Sequence, residues 1–123
     1  MFTDTFREVV GKEGVVSIVT CAENEAHVAN TWNSYLGLPD SERLLIPSWK
    51  MRKTEQNTLK NNKVLLTLGS KEVPGLIGPG TGFLLEGTAR FFKSGEEFDA
   101  MKAKFPFLTR VLEVTVTSLK QTI

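Results

Sequence analysis

Six stretches of the chain carry the apolar, β-branched or alternating character of strands, and three carry the spacing of short helices. Residues 14–21 (GVVSIVTC) are almost wholly apolar, AENEA turns the chain, and residues 27–36 (HVANTWNSYL) return, so these two strands are expected to form a hairpin. Residues 43–50 (RLLIPSWK) read as a third strand. Pro47 within it cannot donate to a ladder, which argues for an edge position or a bulge. Residues 63–70 (KVLLTLGS) read as a buried strand. In residues 83–92, Phe83, Leu85, Gly87, Ala89 and Phe91 share one face, while Leu84, Glu86, Thr88, Arg90 and Phe92 share the other. Residues 110–118 alternate Leu112, Val114 and Val116 with Glu113, Thr115 and Thr117.

Among the helices, residues 3–11 place Phe6, Val9 and Val10 on one side, with Gly11 or Gly14 as a stop, a candidate plug or lid. Residues 54–62 (TEQNTLKNN) predict a helix with Thr54 as N-cap, making a strand–helix–strand crossover. Residues 95–105 open with acids and close with Lys102 and Lys104, matching the helix dipole. Residues 73–82 (VPGLIGPGTG) hold four of the ten glycines and predict a long loop. Together these elements predict one mainly β domain over residues 1–123: a six-stranded antiparallel sheet with short connecting helices, curled into a small closed or split barrel.

Composition narrows the function. A hydrophobic share of 41% against 24% charged is that of an ordinary soluble domain. Fifteen Lys+Arg against 14 Asp+Glu give a net charge of +1, too little for a global field that steers a polyanion, so no nucleic-acid partner is expected. No apolar run reaches the roughly 18 residues of a membrane span, and MFTDTFREVV lacks the basic-then-apolar order of a signal peptide. With a single cysteine as well, a cytoplasmic location is expected. Cys21 and the lone His27 have no spaced metal-ligand partners, and Cys21 reads as a buried structural thiol that could meet His27 across the hairpin. Neither Gly-x-Ser-x-Gly nor Walker spacing occurs, so no catalytic residues are assigned.

Three ligand-like surfaces remain. In NTWNSY, the polar Asn30, Thr31, Asn33 and Ser34 interleave with Trp32 and Tyr35. That mixture fits an exposed edge strand, or a planar heterocycle that needs stacking and edge hydrogen bonds. In SWKMRKTEQN, Lys50, Arg52 and Lys53 crowd a helix start that is already electropositive. The stretch reads as a phosphate seat at Lys53 and Thr54, or as a solvated basic turn paired with Glu55. GPGTG (78–82) offers backbone that a ligand can approach closely.

Taken in this order and at these separations, HVANTWNSYL, IPSWKMRKTEQN, LLTLGS and GPGTGF resemble the small FMN-binding proteins of sulfate-reducing bacteria, in the flavin-binding split-barrel group that includes pyridoxamine phosphate oxidase. The resemblance covers nearly the whole chain and implies a homodimeric split β-barrel with one non-covalent flavin mononucleotide (FMN) per subunit. It assigns Lys53 and Thr54 to the FMN phosphate, with Asn30 and Thr31 beside the phosphoribityl end. Within NTWNSY it puts Trp32 and Tyr35 near the isoalloxazine, with Asn33 and Ser34 between them. Pro47, Ser48 and Trp49 fall along the pyrimidine side, and Gly80, Thr81 and Gly82 against the cofactor. Ile123 approaches the flavin of the neighbouring subunit, and Glu13 occupies a position whose charge tunes the flavin potential. Two departures stand out. The family pattern has glycines where Trp49 and Lys50 stand, and a tryptophan by the flavin in the loop before the last strand, where this chain reads FPF and offers Phe107.

The function implied is an FMN flavoprotein that passes electrons to or from a redox partner protein or small molecule. A small flavin-dependent oxidoreductase is the second reading. A non-redox barrel stacking nucleic acid on Trp32 and Trp49 is a third, weakened by the near-zero net charge.

Overall fold

The computed structural model describes residues 1–123. It contains β1 (Val15–Ala22), β2 (Glu25–Trp32), β3 (Arg43–Ser48), β4 (Lys63–Pro74), β5 (Pro79–Phe92) and β6 (Arg110–Gln121). The helices are α1 (Asp4–Val10), α2 (Arg52–Lys60) and α3 (Glu96–Lys104), with a single 3-10 turn at Asn33–Tyr35. All strands join one antiparallel sheet in the order β2-β1-β4-β5-β6-β3. The two outermost strands are not paired with each other, yet Leu44 and Ile46 of β3 share one core with Val16 and Ile18 of β1. The sheet is therefore curled around a common interior and left open at one seam: a split barrel.

The core explains the curl. Phe83, Leu85 and Ala89 of β5, with Leu112, Val114 and Val116 of β6, point inward as their alternation predicts. α1 plugs the interior, with Phe6 and Val9 fully buried. Thr3 Oγ1 caps it by accepting the Phe6 N–H at 3.1 Å, and the Phe6 ring meets Phe83 edge-on at 5.3 Å. Pro47 lies in the edge strand β3, as its missing N–H requires. β3 is nonetheless buried on both faces, because Leu45 packs outward against Met101 of α3, Leu108 and Val111.

Several expectations are corrected. β2 starts earlier and stops at Trp32, where the chain turns into Asn33–Tyr35. The β1–β2 connection is a tight turn on Glu23 and Asn24, with φ of 55° and 62°. The glycine-rich segment is strand, not loop: β4 and β5 run on as a two-stranded ribbon whose prolines pair at its tip, Pro74 with Pro79. Only residues 75–78 turn. Cys21 is exposed rather than buried, and because Cys21 pairs with Ala26 and His27 with Thr20, the two side chains lie on opposite sheet faces.

Candidate functional site

The first turn of α2 is electrically unfinished. Met51 is its N-cap and makes no side-chain capping bond. The backbone bond from Glu55 N–H to Met51 O, 3.0 Å, leaves the preceding N–H groups of the turn without intrahelical acceptors. Thr54 is not the cap, because the helix starts two residues earlier at Arg52. It lies inside the first turn, fully buried, and its Oγ1 has no hydrogen-bond partner. Buried hydroxyls normally have one. With Arg52 and Lys53 exposed on the same turn, the arrangement suits a dianion.

The helix presents two different sides. On one, Asn57 Nδ2 donates to Thr20 Oγ1 at 3.1 Å, and Lys60 Nζ pairs with Glu23 at 2.7 Å. The Lys60 hydrogen bond, then its charge, hold the Glu23 carboxyl below its ordinary range, and the charge of Lys53 adds to this. On the other, Glu55 reaches Arg110 of β6 at 3.8 Å. Its partner is therefore Arg110, not the basic turn that the sequence suggested.

That second side borders a cavity of about 310 Å³ bounded by Ser48, Trp49, Lys50, Arg52, Glu55 and Arg110. β3 brings Ser48 opposite Arg110, and the Ser48 carbonyl accepts the Thr109 N–H at 2.9 Å. Trp49 is 55% exposed, with Lys50 Nζ 4.5 Å from its ring centroid. Pro47 is buried within the strand. Tyr35 and Phe107 come together as well, 5.9 Å apart, with Phe105 completing an aromatic trio.

On β2, Asn30 Nδ2 donates to Val16 O and Ser17 Oγ, both at 3.3 Å, while Thr31 is buried and Trp32 is 47% exposed. Ser34 is exposed. Asn33 is wholly internal: its Nδ2 donates to Val9 O at the end of α1 and to Gly69 O in β4, both at 3.2 Å. A Cβ on Gly14 would lie 2.8 Å from that Nδ2, so Gly14 makes room for the strut.

The remaining residues gather elsewhere. Glu13, Gly80, Thr81 and Ile123 line a cavity of about 380 Å³, and Gly82 with Ile123 lines an adjoining hollow of about 460 Å³. Thr81 Oγ1 donates to the Ile123 carbonyl at 2.6 Å, and Gln121 Nε2 donates to Thr81 Oγ1 at 2.9 Å. Gly80 takes φ +96°, which only glycine adopts easily. Ser48 and Ile123 lie at opposite ends of β6, whose 12 residues span roughly 40 Å at the usual strand rise. Arg110, Thr109 and Phe105 escaped sequence reasoning, because their nearness to Ser48 and Tyr35 depends on the β3–β6 register.

Curled sheet, open seam and anion-ready turn define a split-barrel protein of a known class. The sequence profile described as pyridoxamine 5'-phosphate oxidase matches residues 2–122, and the chain belongs to that family. It is 47% identical, over 100% of both chains, to a protein named FMN-binding protein from Nitratidesulfovibrio vulgaris (strain DSM 19637 / Miyazaki F). Among solved structures, HupZ of Group A Streptococcus superposes with a TM-score of 0.81 at 16% identity, over 98% of this chain and 94% of that one. An FMN-binding protein from Syntrophomonas wolfei subsp. wolfei gives 0.76 at 15% identity, over 95% and 83%. At such identities these two likenesses speak for the fold alone. No helix in the molecule is long and apolar enough to cross a membrane.

Proposed function

We propose that the protein is a flavoprotein that binds FMN non-covalently and exchanges electrons with a redox partner. The observation that carries this reading is the first turn of α2: unbonded backbone N–H groups, exposed Lys53 and the buried, unpartnered Thr54 hydroxyl. A phosphate monoester supplies the acceptors and charge this turn lacks. The 47% identity to a protein named for FMN binding supports the choice of phosphate ester. Bound FMN supplies one- or two-electron chemistry, and the chain supplies binding, orientation and local charge. Lys53 and Thr54 hold the phosphate. The exposed indoles of Trp32 and Trp49 offer apolar surface to the ring, and Glu13 adds negative charge that opposes electron uptake. A second subunit supplies Ile123. The exposed free thiol of Cys21 fits a reducing, cytoplasmic setting.

The test is the visible spectrum of the purified protein, followed by identification of the chromophore released on denaturation. About one FMN per chain is expected from the single phosphate seat on α2. A protein that stays colourless after incubation with excess FMN overturns the reading.

A further inference from the structure

Between α3 and β6 the chain turns tightly next to Tyr35 and Ser48. Leu108 N–H donates to the Phe105 carbonyl at 3.0 Å, closing a four-residue turn with Pro106 and Phe107 at its centre. The far end of the turn is fixed twice. Leu108 is fully buried in a small core with Leu45, Met101 and Val111, and Thr109 N–H donates to the Ser48 carbonyl at 2.9 Å. Phe107 has no such anchor: its ring is 46% exposed and meets only the rings of Tyr35 and Phe105, at 5.9 and 6.0 Å. Pro106 fixes its own φ, but not the plane of the Pro106–Phe107 peptide, which is the plane that swings between turn types. Lys102, in the last turn of α3, holds that plane. Its Nζ donates to the Pro106 carbonyl at 2.7 Å and to the Leu108 carbonyl at 2.6 Å, and neither carbonyl receives another hydrogen bond from the chain. Lys102 forms no ion pair that competes for its ammonium group. It also does more than complement the helix dipole, since Lys104 stands in the same last turn and makes neither bond.

We infer that Lys102 is a positioning residue: by holding the carbonyls on either side of Phe107, it sets that ring beside Tyr35 as one wall for the flavin. Hydrogen bonds from an ammonium group are stronger than those between neutral partners, so two of them fix a turn that its single internal bond leaves loose. The ring so held keeps much of its surface open, as contact with a flat heterocycle requires. Lys102 itself touches none of the residues given to the flavin other than through this turn. The part played toward the flavin rests on the flavin reading; the clamp itself does not.

Lys102→Met keeps the length of the side chain and removes the ammonium group. In flavin-free protein, amide exchange followed by NMR should speed up about tenfold at Leu108 and Thr109, the scale of one charge-assisted bond, and stay as in wild type along β4 and β5. A lysine that merely stabilised the fold would raise all these rates together. The ring-proton shifts of Tyr35, the one tyrosine, should move as Phe107 leaves it. Lys104→Met removes the same charge from the same turn and should do neither. With FMN bound, Lys102→Met should leave FMN content unchanged and shift the visible circular dichroism of the flavin. Phe107→Ala should shift it too, and in that background Lys102→Met should add nothing. Unchanged exchange at Leu108 and Thr109, or the same response from Lys104→Met, overturns the clamp. A flavin spectrum that ignores Lys102→Met, or a shift that persists without the Phe107 ring, overturns the positioning of Phe107 against the flavin. A protein that takes up no FMN brings down the flavin reading and leaves the clamp to be decided by exchange and the Tyr35 shifts.

Discussion

Thr54 allows the anion reading to be tested with two effects of opposite sign. Its hydroxyl is buried without a partner, so exchanging it for the isosteric methyl of Thr54→Val relieves an unsatisfied polar group in the flavin-free protein. The gain should be about 1 kcal/mol, or roughly 4 °C in Tm. If the hydroxyl donates to the FMN phosphate, the same change should weaken FMN binding by about tenfold or more. Riboflavin, which has no phosphate, should be unaffected. A variant that loses Tm without FMN, or binds FMN as wild type does, removes Thr54 from the phosphate seat. The sequence marks Thr54 as chemically important but misjudges its place, because capping chemistry points to a threonine before it points to Met51, which has nothing to cap with. Asn33 shows the converse. Its polarity beside Trp32 suggests a ligand; both its N–H donors go to backbone carbonyls of α1 and β4, which makes it a strut, while its buried Oδ1, like the Thr54 hydroxyl, has no partner in the chain. Only the fold, which brings residues 9 and 69 together, can reveal that.

Between elements, α3, β3, β5 and β6 are tied by one charged cluster on the outside of the sheet. Arg43 contacts Asp40, Glu97 and Glu113 at 2.7–2.9 Å, and Arg90 contacts Glu113 at 2.7 Å. Burial pushes the Glu113 carboxyl upward, but hydrogen bonds from Arg43 and Arg90, together with their charge, outweigh it and hold it below its ordinary 4.5. A carboxylate depressed in the folded state stabilises fully above its ordinary value, and that contribution is lost as pH falls through the lower, folded one. Glu113→Gln should therefore cost about 1–2 kcal/mol near pH 7, discounted because Arg90 is 62% exposed. The gap from wild type should narrow below pH 4.5. Urea unfolding at neutral and acid pH measures both, and an equal gap at the two would show that Glu113 acts through packing alone. The alternation of residues 110–118 makes β6 legible and puts Glu113 opposite the core, but not the helix that covers it. The glycine-rich ribbon was illegible for a related reason. Glycine and proline signal a turn locally, whereas the antiparallel pairing of Gly69 with Gly82 and Ser70 with Thr81 is set by the strands on either side.

At the scale of the whole molecule, the residues that resemble a flavin site cannot all meet within one chain. Ser48 and Trp49 stand at one end of β6 and Ile123 just beyond the other, so the 12 residues of that strand lie between them. The exposed apolar side chains Val15, Val28 and Trp32 lie on the β1–β2 hairpin, with Ile123 at the chain end and Leu76 and Ile77 on the β4–β5 ribbon. Surface of this kind gains by being covered, and a second copy would cover it while carrying its own Ile123 toward the first copy's aromatic residues. The prediction is a dimer in sedimentation equilibrium at micromolar concentration, as expected when an interface buries on the order of 1,000 Å² or more. Deleting Ile123 should leave the dimer assembled and one FMN per chain in place, but change the flavin fluorescence, because in the proposed dimer the removed side chain would lie against the ring from across the interface. A monomer that carries a full complement of FMN would sink the shared site outright. A dimer whose flavin fluorescence ignores the deletion would keep the assembly and remove Ile123 from the pocket.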